Sequence, residues 1–174
     1  CGAQYPYHGY DFVNNDNNPM DDDSHGTHCA GTICGDGTSG TQTGMAPDAT
    51  LMCVKVLGPN GGTFDMLSSG VEFSLDNGAD ILSLSLGWTY PDAEISNSLR
   101  NVFNNVLEAG VVAAVAAGNE REEINLYPIP RNVGSPGNCP PPWLHPDQQA
   151  NAGGLSSVVC VGAVDYSDKP ASFS

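Results

Sequence analysis

The residues of this 174-residue sequence whose types and spacing best suit chemistry surround His25. The stretch reads Ser24-His25-Gly26-Thr27-His28-Cys29-Ala30-Gly31-Thr32 and follows the acidic run Asp21-Asp22-Asp23. Serine and carboxylates cluster in this way where a helix begins, so the pattern predicts a helix starting near His25. An imidazole at the positive end of the helix dipole is favoured in the neutral form that a general base requires. A capping turn with an uninvolved histidine is the alternative, and a zinc pair with His28 is disfavoured because helical zinc ligands are spaced i, i+4.

A second candidate is Asn119, which follows the apolar run 111–117 and Gly118. A side-chain amide at the end of a buried strand can donate a hydrogen bond to a developing oxyanion, and removing one such donor costs about 3–4 kcal/mol of barrier. Flanking alanine and glycine also let an extended peptide run alongside the backbone without a clash. Taken alone, an ordinary turn asparagine explains Asn119 better, but its combination with His25 in one sheet favours a catalytic site.

A possible cation loop lies between residues 9 and 20. It carries side-chain oxygens at mostly alternate positions, in Asp11, Asn14, Asp16 and Asn18. Such alternation lets several oxygens converge on one hard cation, and calcium accepts irregular oxygen sets. The loop lacks the glycine and glutamate positions of an EF-hand, and an ordinary turn rich in Asp and Asn is an equal alternative on spacing alone.

The elements that must position these residues alternate along the chain. Apolar runs predict strands at 51–57, 79–87, 111–117 and 158–164, and helical spacing predicts helices at 64–77 and 96–109. Continuously apolar strands separated by helices are typical of a parallel sheet covered by helices, so we expect one α/β domain over residues 1–174. Ligands of such sheets bind beyond the carboxyl ends of the strands, which here are residues 85–87, 116–119 and the turn after Leu57.

Composition narrows the function further. The net charge is −15, which disfavours nucleic acid as a partner because the polyanion would be repelled. The longest apolar run, 111–117, is too short to cross a bilayer, so no membrane partner is expected. The six cysteines form no CxxC pair. Three of them, Cys29, Cys53 and Cys160, lie in apolar segments and are expected to be small buried hydrophobes, whereas Cys1, Cys34 and Cys139 are candidates for bridging.

Several motifs, taken in order along nearly the whole chain, resemble those of the subtilisin-like serine proteases. They are the histidine motif at 22–32 and the blocks at 44–47, 54–57, 83–87, 116–120 and 161–174. The resemblance implies a subtilisin-like fold, with a mostly parallel sheet and helices on both faces. It also implies a serine endopeptidase that cleaves extended protein or peptide substrates and is secreted.

Carried over position by position, the resemblance implies that His25 is the base of the catalytic triad and Asn119 the oxyanion donor. The implied walls of the pocket for the residue before the cut are Ser85, Leu86, Gly87, Ala116, Ala117 and Gly118, with Gly134 as its floor. Gly61 is implied to lie along the substrate backbone, which pairs as an added strand. Residues 9–16 resemble the calcium loop of the thermitase-like branch, which implies a structural Ca²⁺ held by Asp11, Asn14, Asp16 and Asn18.

Two departures from the family pattern matter. The family's triad aspartate would precede Cys1 and its nucleophilic serine would follow Ser174, so the sequence is expected to be the central part of a catalytic domain, incomplete at both ends and inactive by itself. Exposed core surface would then favour self-association or pairing with complementing fragments. The alternatives are a pseudoprotease that binds peptides without cutting them and a calcium-stabilised structural domain.

Overall fold

Parallel strands and helices alternate along the chain in the computed structural model, which describes residues 9–89, 92–123, 125–126, 132–139 and 155–174. The strands are β1 (Gly9–Asp11), β2 (Cys53–Lys55), β3 (Ile81–Leu84), β4 (Val112–Ala116) and β5 (Val158–Val161). The helices are α1 (His25–Cys34), α2 (Phe64–Asp76) and α3 (Ala93–Glu108), with 3-10 turns at Thr38–Gly40 and Arg121–Glu123. The predicted α/β class with parallel sheets is confirmed. None of the helices among the described residues is long and apolar enough to cross a membrane.

The chain divides into two units, Cys1–Asn77 and Gly78–Ser174, and the expectation of a single domain stays a prediction. In the first unit β1 pairs in parallel with β2, and α2 packs against β2. The helix approaches the strand closely because it presents Gly70, where a Cβ atom would lie 3.1 Å from Cγ1 of Val54 in β2 and 2.5 Å from Cγ1 of Val56 directly after it. Leu67 and Val71 of α2 are buried at this contact.

The second unit contains a three-stranded parallel sheet in the order β3-β4-β5. One face of the sheet is buried, and α3 contacts the central strand. The buried residues of that face and of the helix are Leu82, Ala113, Val115, Val158, Leu99, Phe103 and Val106. The Ser157 hydroxyl donates a 2.7 Å hydrogen bond to the carbonyl of Phe103, which ties the second half of this helix to the residue before β5.

The opposite face of this sheet is apolar and exposed. Ile81, Val112, Val159 and Val161 are each between 47% and 68% exposed. Parallel sheets in folded proteins are normally covered on both faces, so this face is the physical basis for the expected self-association. Self-association itself stays a prediction.

Local capping signals explain the boundaries of the two longer helices. The Thr63 hydroxyl accepts a hydrogen bond from the backbone N–H of Met66, and the Asp92 carboxylate accepts one from Ile95. Helix α2 ends before Gly78, whose φ of 77° suits a residue without a side chain. The predicted bounds of α2 and α3 therefore agree with the structure to within about three residues.

Several cysteines differ from the expectation, and Cys29, expected to be buried, is half-buried. Cys53 is disulfide-bonded rather than a small buried hydrophobe, and Cys160 is exposed. Cys34 and Cys139, expected as bridging candidates, are free. Burial raises the pKa of the Cys139 thiol to about 11, so this thiol stays protonated at neutral pH. Cys1 lies outside the described residues.

Candidate active site

A cavity of about 180 Å³ lies at the carboxyl ends of β3 and β4, within the second unit. Its lining residues come from the segments that follow the two strands and from one later loop: Ser85, Leu86, Gly87, Trp88, Thr89, Ala116, Gly118, Asn119, Glu120 and Gly134. Most of the residues predicted to bind substrate are thus brought together around one open cavity. The position agrees with the rule that ligands of parallel sheets bind beyond the carboxyl ends of the strands.

Backbone hydrogen bonds hold the loop with Gly134 against the two strand ends. The N–H of Gly134 donates to the carbonyl of Ala117 at 2.8 Å, and Trp88 and Ser135 exchange two bonds of 2.8 and 3.0 Å. A Cβ atom at Gly87 would lie 2.8 Å from the Ser135 carbonyl oxygen, so this close approach requires glycine. Two parallel strand ends and one cross-bonded loop therefore enclose the cavity on three sides.

Asn119 lies at the rim of this cavity, where the chain leaves β4 through Gly118. Gly118 has a φ of 103°, a conformation that favours glycine. The Glu120 carboxylate folds back and accepts a 2.7 Å hydrogen bond from the backbone N–H of Asn119. The side chain of Asn119 is exposed and makes no hydrogen bond within the described part of the chain, so its amide is available to an oxygen atom in the cavity.

Three residues differ from the predicted lining. Ala117, predicted as a wall, does not line the cavity; its N–H donates to Val161 at 2.9 Å and its carbonyl accepts from Gly134. Trp88 and Thr89 line the cavity but were not among the sequence-predicted residues. The signal that could have found them is their position directly after Gly87, on the same strand end.

His25 is the first residue of α1, in the first unit. Its side chain is exposed, and Nε2 lies 3.9 Å from the sulfur of Cys29, one helical turn later. No carboxylate or hydroxyl group of the described residues is hydrogen-bonded to the imidazole. The ring therefore lacks, within these residues, both the nucleophile and the orienting group that a triad needs.

The start of α1 is held by Asp21 and not by Ser24, the residue directly before the helix. Ser24 has a left-handed φ of 72°, and its side chain makes no capping hydrogen bond. The Asp21 carboxylate instead accepts hydrogen bonds from the backbone N–H groups of Asp23, Ser24 and Thr27, and from the Thr27 hydroxyl. The hydroxyl bond from Thr27, followed by the backbone bonds, holds the pKa of Asp21 well below its usual range.

Gly61, predicted to lie along the substrate backbone, is in the tight turn after β2. Its φ is 88°, and open space surrounds the position of a Cβ atom. Gly58 and Gly61 exchange two backbone hydrogen bonds of 2.9 and 3.0 Å. A peptide that added to this edge as a strand would compete with the turn for the N–H and carbonyl of Gly61.

In the predicted calcium loop, the Asp11 carboxylate is only 1% exposed and accepts hydrogen bonds from Val13 N–H and from the N–H and side-chain amide of Asn14. Lys55 Nζ lies 3.3 Å from Asp11 Oδ2. Asp16 Oδ1 accepts a bond from the Asn18 N–H. No cluster of three or more His, Cys, Asp or Glu residues in the described ranges is arranged to hold a metal.

The oxygen donors of this loop suit a hard cation, but Asp11 already has an ammonium partner. Asp16, Asn18 and the loop carbonyls would therefore hold Ca²⁺ if it binds, with Asp11 and Asn14 fixing the shape of the loop. Calcium binding stays a prediction.

The chain is similar in sequence and in fold to known proteases. The sequence profile of the subtilase family matches residues 3–174. Subtilisin E from Bacillus subtilis (strain 168) is 36% identical over 168 residues, which cover 95% of this chain and 38% of that protein. Thermitase from Thermoactinomyces vulgaris is 36% identical over 122 residues, or 69% of this chain and 42% of that protein. The crystal structure of a lanthipeptide protease superposes with a TM-score of 0.70 at 21% identity, covering 96% of this chain and 44% of that one, which shows the shared fold.

The chain spans less than half the length of each of these three proteins.

Proposed function

Because the chain belongs to the subtilase family, we propose that it forms part of a serine endopeptidase that hydrolyses peptide bonds in extended polypeptides. The observation that carries the proposal is the cavity at the carboxyl ends of β3 and β4, with Asn119 at its rim. Its lining joins small backbone-exposing residues, which suit a peptide main chain, to one side-chain amide that can meet an oxygen atom. We propose catalysis for a longer protein that includes these residues, because the chain spans less than half the length of the relatives it matches, and we expect the 174-residue chain alone to be inactive.

In the proposed mechanism His25 is the general base. It takes the proton of a serine hydroxyl as that oxygen attacks the peptide carbonyl, and it then delivers the proton to the leaving amine. A serine and an orienting carboxylate from elsewhere in the longer protein complete the triad, as the resemblance implies. A water molecule then hydrolyses the acyl-enzyme by the same proton route, which regenerates the serine.

Asn119 supplies the electrostatic part of the mechanism. When the carbonyl carbon becomes tetrahedral, its oxygen gains negative charge, and an amide donor aimed at that oxygen lowers the barrier. Within the described residues the side-chain amide of Asn119 makes no hydrogen bond, so it can donate to the oxyanion without first breaking one. The hydrogen bond from the Asn119 N–H to Glu120 holds the backbone that carries this side chain.

The substrate proposal follows from the cavity. Leu86, Trp88 and Ala116 present apolar surface, and Gly134 leaves one side unfilled, so the side chain before the scissile bond would occupy this space. We further propose that the protein is secreted, which rests on the resemblance to subtilisin-like proteases. We also propose that loop 11–18 binds a structural Ca²⁺, which rests on that resemblance and on the oxygen-rich side chains of the loop.

Covalent labelling tests the proposed function. The complete protein is incubated with a serine-directed phosphonate inhibitor carrying a fluorophore, with and without a competing peptide substrate. We expect stoichiometric labelling in the wild type, slowed by the peptide, and almost none in His25→Ala because the serine is no longer activated. If the folded wild type takes up no label and releases no peptide product, the pseudoprotease alternative replaces the endopeptidase.

A further inference from the structure

We propose that Asp21 is a positioning residue for His25, because its carboxylate fixes the turn from which the histidine-bearing helix starts. The inference rests on the proposed function, in which His25 is the general base. It concerns a residue that would touch neither the substrate nor the reacting atoms, and would act by placing the imidazole.

The first observation is the number of donors that converge on one carboxylate. Asp21 Oδ1 accepts from the backbone N–H groups of Asp23 and Ser24, both at 2.9 Å. Asp21 Oδ2 accepts from the N–H of Thr27 at 2.7 Å and from the Thr27 hydroxyl at 2.6 Å. The donors come from residues before His25 and from Thr27 after it, so the four bonds fix the backbone from which the imidazole projects. Bonds to an ionised acceptor are about twice as strong as neutral ones.

The second observation is strain next to the histidine. Ser24 adopts a left-handed φ of 72°, which a residue with a Cβ atom rarely adopts. Such a conformation is strained and persists only where neighbouring contacts hold it. The bond from the Ser24 N–H to Asp21 is the side-chain contact that holds this turn. The direction in which His25 leaves the turn therefore depends on Asp21.

The third observation is that the chain on both sides of Asp21 is anchored to β2. Lys55 Nζ donates to the Met20 carbonyl at 3.2 Å and to Asp22 Oδ2 at 2.8 Å. Lys55 belongs to β2, so its ammonium holds residues 20–22 against a strand of the first unit. Through its hydrogen bonds with Thr27, the carboxylate of Asp21 then holds the first turn of α1 to this anchored segment.

The fourth observation is that packing of α1 does not replace these polar contacts. None of its ten residues is buried. At its far end, Met45 N–H donates to Thr32 and Ala46 N–H donates to Ile33, which holds the last turn only. The position of the first turn, where His25 lies, is therefore set by the hydrogen bonds to Asp21.

The three consecutive aspartates have different roles, which provides a matched control. Asp21 holds the helix start and Asp22 pairs with Lys55, whereas the Asp23 carboxylate makes no hydrogen bond or ion pair within the described residues. Asp21→Asn and Asp23→Asn remove the same charge, and Asp23 is the nearer of the two to His25 along the chain. Only Asp21→Asn places an NH2 group among four hydrogen-bond donors.

The experiment compares these variants in the complete protein. Peptide turnover is measured per active site, with active sites counted from the end point of labelling by the serine-directed inhibitor, after the reaction has run to completion in each variant. We expect Asp21→Asn to lower kcat by about 10- to 100-fold with little change in KM, the size of effect that a small misplacement of a catalytic group produces. Asp23→Asn should stay within about twofold of the wild type. Thr27→Ser keeps both donors and should behave as the wild type, whereas Thr27→Val should show a smaller loss than Asp21→Asn.

A structural measurement on the same proteins separates positioning from general stability. Amide hydrogen exchange at Thr27 should become at least tenfold faster in Asp21→Asn and should be unchanged in Asp23→Asn. The proposal is overturned if the kcat of Asp21→Asn, counted per active site, equals that of Asp23→Asn, even if less of the variant folds. A wild type that neither reacts with the inhibitor nor cleaves peptide overturns the proposed function instead, which is a different result.

Discussion

The ammonium of Lys55 lies 3.3 Å from the carboxylate of Asp11, and the two residues are direct neighbours in the parallel ladder of β1 and β2. Asp11 is 1% exposed and Lys55 is 10% exposed, so the pair is almost entirely removed from water. Asp22 Oδ2 lies 2.8 Å from the same ammonium. One lysine thus neutralises two carboxylates and joins the loop after β1 to the segment that leads into the histidine-bearing helix.

Replacing Lys55 by methionine should destabilise the protein, because it leaves the buried carboxylate of Asp11 without a cation. Breaking a buried pair in this way costs about 3–5 kcal/mol. Denaturant unfolding of the wild type, Lys55→Met, Asp11→Asn and the double variant measures the coupling. The double variant should be more stable than Lys55→Met alone; purely additive losses would contradict a direct interaction.

The effect of Lys55→Met should depend on pH in a defined window. Burial raises the pKa of Asp11, but the hydrogen bonds from Asn14 and the contact with Lys55 outweigh burial and lower that pKa below its ordinary value of 3.8. The bond to Asp22 raises the pKa of Lys55 above 10.5. Stabilisation from Asp11 is therefore present above pH 3.8 and lost as pH falls, while that from Lys55 is lost as pH rises beyond 10.5. The stability difference between wild type and Lys55→Met should be flat between these limits and shrink outside them, which denaturant titrations at five pH values would show.

Calcium should raise the melting temperature of the complete protein. A cation that binds only the native state stabilises it by RT ln(1 + [L]/Kd), about 2.7 kcal/mol at a hundredfold excess over Kd. Asp16→Ala should remove most of the shift between excess calcium and chelator, whereas Asp23→Asn, a matched loss of charge, should keep it. Equal shifts in the wild type and Asp16→Ala would place any calcium effect elsewhere.

The α/β class was predictable because the apolar runs that form β3, β4 and β5 are short and are followed within two residues by glycine or serine. Such runs, separated by segments with helical spacing, indicate parallel strands. Strand β1 was not predicted, since Gly9–Asp11 carries no apolar run and its pairing depends on β2, more than forty residues later. The sequence also could not distinguish the three aspartates at 21–23. Which of them caps α1 is decided by the left-handed turn at Ser24, and such a turn depends on contacts that spacing does not show.

The candidate site was predictable to a similar degree. Gly118 and Asn119 could be placed at the end of β4 from the preceding apolar run. The lining by Trp88 and Thr89, however, depends on how the loop with Ser135 bonds to the segment that follows β3. The place of Ala117 relative to the cavity depends on where β4 ends, because a strand alternates its side chains between two faces, and its role as a pocket wall stays a prediction.

The cavity should accept a large apolar side chain before the scissile bond, and the carboxylate of Glu120 should allow a basic one as well. A peptide library that varies this position, assayed with the complete protein, gives the preference as relative kcat/KM. Glu120→Gln should lower the values for Lys and Arg by several-fold and leave Phe and Leu nearly unchanged. A strict preference for acidic residues would contradict the assignment of this cavity.

Asn119→Ala should lower kcat by about 100- to 1000-fold with little change in KM. The reason is that the amide is proposed to bond to the carbonyl oxygen only as negative charge develops. Steady-state kinetics of the complete protein separate the two parameters, and Asn104→Ala, an exposed residue of α3 outside the cavity lining, serves as a comparison for nonspecific damage. A large rise in KM at unchanged kcat would mean that Asn119 holds substrate or structure.

The most direct test of the account is the turnover of His25→Ala compared with His28→Ala in the complete protein, measured per folded molecule on one fluorogenic peptide. Both histidines are exposed on α1, but only His25 is proposed to act as the base. We predict that His25→Ala loses about 10⁴- to 10⁶-fold in kcat, as expected when a triad histidine is removed, and that His28→Ala stays within about tenfold of the wild type. Retention of turnover in His25→Ala would contradict the proposed active site.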